Sequence, residues 1–580
     1  MNSQSNLLSP AELSTALGKA FPPTPEQAKV IEGELGPKLV VAGAGAGKTE
    51  TMASRVVYLV ANGMVAPEKV LGLTFTRKAA QQLEQRIRKQ LIKLRDSGIV
   101  QPGTAAAEAL ENIAPKVATY DSYAGDLVRE YGLLMPVEPT ARIITDAERY
   151  AIAHDVVVNY GGKLSASQSL GHVTDTLLKL AQAMDNGLLD PDEIREHARI
   201  FTATAYDLEK TRRNGPEFTK EVQNFLNKQQ LRVEYLPLVE ALKEEQAARG
   251  VITFGEQMAI AAALAESHPQ VGEQQSQRFN VVMLDEYQDT SHAQRVLLRS
   301  LFGGVRPGVS VTAVGDPMQS IYGWRGATAE NLAAFVEDFP QADGSPAPKD
   351  QLTISWRNPQ QTLTLANDVA GHLFAETGGP RPVDELSPRD NAPEGEVKLA
   401  YFASENEERE FVANHLKAQL DACEDPSRFS AAVLVRTNKQ SPLISQALDA
   451  IGVPNEIVGL GGLLWQPEIQ DLIAVATILL RPQDTNAALR VLTGPMCGLG
   501  VKDLKELLAR QRNLAGASDE SAGRLRWEGG DPVEHLAAQL AELTKEDTSQ
   551  VLGLADALAD LGERERYSAA GLARMEELSA

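Results

Sequence analysis

The segment Val40-Val41-Ala42-Gly43-Ala44-Gly45-Ala46-Gly47-Lys48-Thr49 restricts the fold of this chain more than any other. An apolar run enters alternating glycines, and a helix-forming stretch follows. Such a turn directs successive backbone N–H groups into a concavity, and the helix N-terminus behind it adds partial positive charge. The pattern suits a nucleotide, with Lys48 reaching its β- and γ-phosphates and Thr49 holding a magnesium ion. The strict pattern begins with glycine, whereas Ala42 stands there in this chain. A flexible glycine loop beside a surface lysine would share these residues. The strand-like run Lys38–Ala42 before it and the helical stretch after it are what phosphate binding requires. Nucleotide contacts are expected from Ala44, Gly45, Ala46, Gly47, Lys48, Thr49 and Glu50.

The 580 residues correspond to about three to five domains. Cys423 and Cys497 are the only cysteines, which excludes a disulfide framework or a cysteine-based metal cluster within the chain and fits a reducing cytoplasm. The polar N-terminal residues do not resemble a secretory signal, and no apolar stretch is long enough to span a bilayer. The net charge of −22 decides nothing about nucleic acid, because affinity for phosphates follows local clusters of Lys and Arg. One such cluster, Arg77, Lys78, Arg86, Arg88, Lys89, Lys93 and Arg95, falls on a single helical stretch; a solvated helix face explains it equally well.

Short apolar runs at 38–42, 70–74 and 117–119 alternate with helical stretches such as 79–94, a rhythm of parallel βαβ units. Residues 131–250 lose that rhythm and read as a mostly helical insertion that includes the charged segment Glu209-Lys210-Thr211-Arg212-Arg213. Strands return at 280–284 and 309–314. A linker-like stretch at 340–350 precedes apolar runs at 352–355, 396–400 and 431–435, which read as strands of a second lobe. The chain is expected to be helical from Gly461 onwards. The expected organisation is a first lobe over 1–125 and 251–345, helical insertions over 126–250 and 461–580, and the first half of a second lobe over 346–460.

The apolar run 281–284 delivers Asp285 and Glu286 to a strand end, where open α/β sheets bind ligands. Asp285 is suited to hold Mg²⁺ together with Thr49. Glu286 is suited to orient and deprotonate an attacking water. The continuation Tyr287-Gln288-Asp289-Thr290, and then Val314-Gly315-Asp316-Pro317-Met318-Gln319-Ser320-Ile321-Tyr322-Gly323-Trp324-Arg325-Gly326-Ala327, resembles the UvrD/Rep group of superfamily 1 helicases. Thr74-Phe75-Thr76-Arg77-Lys78-Ala79-Ala80, Thr119-Tyr120-Asp121-Ser122-Tyr123, Trp356-Arg357-Asn358, Val435-Arg436-Thr437-Asn438 and Gly461-Gly462 with Pro467-Glu468-Ile469 continue the resemblance over roughly 20–500. Within that group, the wording of the glycine loop and of Ile252-Thr253-Phe254-Gly255-Glu256-Gln257-Met258 is most similar to the motor subunits of AdnAB-type helicase–nucleases.

The resemblance implies a P-loop NTPase with two RecA-like parallel-sheet lobes. It implies an ATP- and Mg²⁺-dependent motor moving 3′→5′ on single-stranded DNA and opening duplex DNA in repair or recombination, with a second helicase–nuclease subunit as a further partner. Gln27 falls where the family reads adenine, Gln319 where it senses the γ-phosphate, and Arg357 where an arginine reaches that phosphate. Phe75, Arg77, Ser122, Tyr322, Trp324 and Arg325 fall where the family contacts DNA. Aromatic faces there would stack bases at about 1–3 kcal/mol each. Thr253 stands where many relatives carry aspartate and receives no role. Two C-terminal motifs of the family are not found between Thr437 and Ala580, which leads to the expectation of a truncated chain that binds ATP·Mg but shows little DNA-stimulated hydrolysis or unwinding. A degenerate subunit, or a lobe completed by another chain, would also account for the missing motifs. The rival function is a non-catalytic ATP- and DNA-binding subunit.

Overall fold

A computed structural model describes residues 7–100, 103–110, 115–138, 140–164, 169–208, 218–377, 383–458, 464, 466–514 and 552–579. It divides into two units, Met1–Lys398 and Leu399–Ala580.

The first unit is built on a six-stranded sheet. β1 (Lys38–Ala42), β2 (Val70–Thr74) and β3 (Lys116–Thr119) come before a helical insertion. That insertion is bracketed by the two-residue strands β4 (Arg142–Ile143) and β5 (Val251–Ile252). After it come β6 (Val281–Leu284), β7 (Ser310–Gly315) and β8 (Lys349–Leu352). The sheet order is β3-β2-β6-β7-β1-β8 and every pairing is parallel. The strands β1, β2, β6 and β7 are buried throughout, as expected for a parallel sheet covered on both faces.

On one face lie α1 (Pro10–Ala16), α2 (Pro25–Glu32), α3 (Lys48–Ala61), α4 (Arg77–Asp96) and the short α5 (Ala105–Ala109). Leu83, Ile87, Leu91 and Leu94 form the apolar stripe of α4, so its basic cluster occupies the opposite, solvated face. The other face is covered by α6 (Tyr120–Tyr131) together with helices from beyond the insertion.

The insertion comprises α7 (Asp146–Val158), α8 (Leu170–Gly187), α9 (Pro191–Asp207) and α10 (Lys220–Ala248) around its own core of Ile152, Leu177, Met184, Leu236 and Leu242. Parallel pairing of β4 with β5 brings its ends together. The expected Glu209–Arg213 segment lies outside the described residues. α11 (Phe254–Ser267), α12 (Pro269–Arg278) and α13 (His292–Phe302) then return to the sheet. Thr253 is the N-cap of α11, closing a reciprocal capping box with Glu256.

The expected second-lobe strands are corrected. The strand placed at 352–355 is instead β8, paired with β1 at the edge of the first sheet, followed by β9 (Ile354–Ser355) against β10 (Ser387–Pro388). Among the described residues of the second unit no strand forms. The runs 396–400 and 431–435 form no ladder among the described residues, and Leu399, Tyr401 and Leu434 are 91, 100 and 95% exposed. An extended segment becomes a strand only when neighbouring backbone takes up its N–H and C=O groups. The regular elements among the described residues of the second unit are helices, the longer ones being Glu405–Asp421, Ser441–Ala450, Pro467–Leu480, Thr485–Thr493, Val501–Leu514 and Ala569–Ser579. The family motif at Gly461-Gly462 lies outside the described residues.

Candidate nucleotide and nucleic-acid site

The loop after β1 is shaped by contacts that turn its carbonyls outward. Ala44 O accepts from Ser355 Oγ (2.9 Å), Gly45 O from the Trp356 N–H (2.9 Å) and Ala46 O from Gln27 Nε2 (3.1 Å). Gly45 and Gly47 have φ of +78° and +80°. A Cβ on Gly45 would lie 2.5 Å from Ser355 Oγ and 2.9 Å from Arg357 Cβ, so glycine is required there by both backbone and space. Gly47 caps α3 without a side-chain acceptor, in contrast to the Ser, Thr and Asp caps of most other helices in the chain. The first N–H groups of α3 are therefore left for an anion.

Lys48 Nζ lies 3.1 Å from Glu286 Oε2, with the lysine side chain 12% exposed. Glu286 is a non-glycine residue at φ +50°, a strained geometry of the kind found at functional sites. Gln288 Nε2 donates to the same Glu286 oxygen at 2.8 Å, and Gln288 Oε1 accepts from the Asp316 N–H at 3.0 Å. Asp316 Oδ2 in turn accepts from Gln319 Nε2 at 2.6 Å. An unbroken relay thus joins Lys48 to Gln319, and its middle members Gln288 and Asp316 were not singled out from sequence.

Asp285 is buried. Desolvation first, and the neighbouring Glu286 second, push its carboxyl up to about 7. One of its oxygens accepts the Glu286 N–H, and the Thr49 hydroxyl has no hydrogen-bond partner among the described residues. A buried carboxylate held beside another carboxylate, with an open hydroxyl on the loop, fits Mg²⁺, which takes one or two protein oxygens and completes its shell with water and phosphate. Among the described residues no cluster of three or more His, Cys, Asp or Glu is arranged to hold a metal by itself. The Arg357 guanidinium is exposed, follows directly on the segment packed against Gly45, and has no ion pair among the described residues.

Beside Gly47 opens a cavity of about 410 Å³, lined by Phe21, Gln27, Glu50, Thr51, Val57 and Trp356 among others. Phe21 and Trp356 meet at 5.3 Å, and Trp356 Nε1 is a buried donor without a partner among the described residues. This cavity has the apolar walls and sparse polar groups of a nucleobase site. Phe21 and Trp356 were not assigned roles from sequence because their proximity arises only on folding. Gln27 is at the cavity but is not free: its amide oxygen accepts the Thr24 N–H while its nitrogen holds Ala46 O. Glu50 is also at the cavity, engaged by Lys19 (2.6 Å), Arg86 (3.1 Å) and Gln90 (3.1 Å).

A second opening, about 560 Å³, runs between the sheet unit and the insertion, lined by Phe75, Asp121, Tyr150, Phe254, Trp324 and Arg325 among others. Phe75 stacks on Tyr322 at 4.9 Å, and Arg325 sits over Trp324 at 4.6 Å. Trp324 is 71% exposed, which makes it an open platform and not a core tryptophan. Phe254, half exposed on the same groove, is a further aromatic face that the sequence reading passed over. Asn186 of the insertion donates to Arg325 O at 2.8 Å, fixing the Trp324 loop against α8. Arg77 and Ser122 are exposed at the first turns of α4 and α6 but do not line this groove. The groove wall carries Asp121, Asp146, Asp185 and Asp289 together with Arg149 and Arg325, so charges of both signs surround its aromatic faces.

The family description of the UvrD/REP helicase N-terminal domain matches residues 23–340. The chain belongs to the UvrD/REP helicase family. The description of the UvrD-like helicase C-terminal domain matches residues 351–542. Relatives include the ATP-dependent DNA helicase UvrD1 of Mycobacterium tuberculosis (strain ATCC 25618 / H37Rv), 28% identical over 82% of this chain and 55% of the relative. The ATP-dependent DNA helicase PcrA of Bacillus subtilis (strain 168) is 27% identical over 83% of this chain and 56% of its own length. The chain thus spans somewhat more than half the length of these relatives. The more specific resemblance to AdnAB-type motor subunits, and with it a second helicase–nuclease subunit, finds no support in these relatives. No described helix is long and apolar enough to cross a membrane.

Proposed function

We propose that this chain is an ATP-dependent DNA helicase acting in DNA repair, which hydrolyses ATP at Lys48 and Glu286 and moves 3′→5′ on single-stranded DNA. The observation that carries the reading is the relay from Lys48 through Glu286, Gln288 and Asp316 to Gln319. It runs from the phosphate loop into the loop that bears Tyr322 and Trp324. The direction of movement rests on the family resemblance alone.

The α3 N-terminus and Lys48 receive the phosphates, and a γ-phosphate drawing Lys48 away frees the Glu286 carboxylate to accept a proton from water. Gln319 and Arg357 would respond to the γ-phosphate, a role that rests on the family resemblance. Thr49 and Asp285 would hold Mg²⁺, which supplies charge neutralisation on the phosphates. Phe75, Tyr322, Trp324 and Phe254 stack bases, with Arg325 packed over the Trp324 ring.

Steady-state phosphate release by the chain, by Lys48→Ala and by Glu286→Gln tests this. Hydrolysis that both variants lose by at least about a hundredfold, with nucleotide binding retained in Glu286→Gln, is expected. A chain that binds nucleotide but hydrolyses none, or variants that match it, would overturn the reading in favour of a non-catalytic subunit.

A further inference from the structure

The Asp285–Glu286 peptide carries the hydrolytic carboxylate, and its orientation is not secured by the sheet. β6 ends at Leu284, and the Asp285 N–H makes the final ladder bond, to Leu73 O at 2.8 Å. The next carbonyl, Asp285 O, has left the ladder. It accepts instead from the Tyr120 hydroxyl at 2.9 Å, a fully buried bond across 165 residues of sequence. That carbonyl belongs to the same peptide plane as the Glu286 nitrogen, about whose N–Cα bond φ is held at +50°. A left-handed non-glycine residue persists only where its surroundings over-determine it. Here the Glu286 N–H goes to Asp285 Oδ1, its carboxylate to Lys48 and Gln288, and the plane itself to Tyr120.

Tyr120 is the first residue of α6, directly after β3. Its neighbour Asp121 lines the groove opposite Arg325, and Ser122 is exposed on the same turn. The Tyr120 ring is buried, and a phenylalanine would meet that demand; only the Asp285 carbonyl requires the hydroxyl.

We propose that Tyr120 is a positioning residue: its hydroxyl fixes the Asp285–Glu286 peptide so that Glu286 faces the phosphate loop, and it ties that carboxylate to the groove-facing first turn of α6. The inference rests on the hydrolytic reading of Glu286. Movement of the α6 turn when a strand occupies the groove passes through one hydrogen bond to the group that handles the attacking water.

The test is Tyr120→Phe in the full chain, read by kcat and KM for ATP, thermal midpoint and crystal structure. Loss of one buried donor is expected to lower kcat about tenfold, with KM close to that of the parent chain and the thermal midpoint lower by about 1–4 °C, so that the variant stays folded at the assay temperature. A tyrosine serving only to fill space would leave kcat untouched. A kcat within about twofold of the parent, or a loss that tracks unfolding, overturns the proposal. Absence of any hydrolysis in the parent chain would count against the functional reading instead. The crystal structures then decide the inference independently: a rotated Asp285–Glu286 peptide with a broken Lys48–Glu286 pair supports it, and an unchanged Glu286 conformation refutes it.

Discussion

Replacing Arg55 by methionine is expected to loosen the nucleotide site from behind. Arg55 lies on α3, two turns after Lys48, and is completely buried. Its guanidinium donates to the carbonyls of Val30 (2.8 Å), Ile31 (3.2 Å), Gly33 (2.8 Å) and Glu34 (3.0 Å). These are the last carbonyls of α2 and those just beyond it, so Arg55 caps the helix whose Gln27 holds Ala46 O. Methionine fills the volume but leaves four carbonyls without a donor, at about 1–3 kcal/mol for each that water does not reach. The Gly33 and Glu34 bonds are only part-buried and can rehydrate. Against this, burial pulls the guanidinium down to about 10. Methionine escapes that charge-burial cost, on the order of 3 kcal/mol.

The balance centres on a destabilisation of about 2 kcal/mol, or a fall in thermal midpoint of roughly 2–3 °C for a cooperative unit of this size. Arg55→Lys should be at least as damaging, because it keeps the buried charge and loses the planar fork. Circular-dichroism melts of both variants, with fluorescent-nucleotide titration alongside, provide the assay; weaker nucleotide binding is expected to accompany the loss. An Arg55→Met protein melting at or above the temperature of the parent would refute the capping argument.

Gly45→Ala should weaken Mg·ATP binding at least about tenfold in the same titration, because left-handed backbone strain adds to the clash with Ser355 and Arg357; unchanged affinity would show that the loop accommodates a methyl group. Burial pushes Asp185 up to about 6 despite Lys243 at 3.0 Å, so its folded pKa exceeds its unfolded one. The stability this group contributes is present below about pH 4 and is lost as pH rises through about 6. Urea denaturation should therefore find Asp185→Asn more favourable, relative to the parent, at pH 8 than at pH 4 by about 1–3 kcal/mol, and an equal difference at both pH values would contradict it.

The first sheet was legible in the sequence because doubly covered parallel strands are unbroken apolar runs, and Lys38–Ala42 and Val70–Thr74 form with the bounds expected. β8 escaped because an edge strand need not be apolar. Lys349-Asp350 looks like the end of a linker, yet Asp350 pairs with Lys29 at 2.7 Å and Lys38 at 3.2 Å, and its backbone completes the sheet beside β1. The runs 396–400 and 431–435 have strand composition, but a strand is a property of a pair and no described partner lies beside them. In the site, contiguous motifs gave Lys48, Asp285, Glu286 and Trp324 directly. Ser355, Trp356, Phe21, Gln288 and Tyr120 became visible only after folding, since each acts on residues distant in sequence or through a backbone carbonyl that no side-chain pattern encodes.

The central claim is that the phosphate loop and the aromatic groove are one linked device within the first unit. The most direct measurement is the affinity of a fluorescent, non-hydrolysable Mg·ATP analogue for this chain, titrated with and without saturating oligo(dT). The account predicts that the oligonucleotide shifts nucleotide affinity about fivefold or more, that nucleotide shifts oligonucleotide affinity by the same factor, and that Trp324→Ala abolishes both. Nucleotide affinity that is identical with and without the bound strand would contradict it.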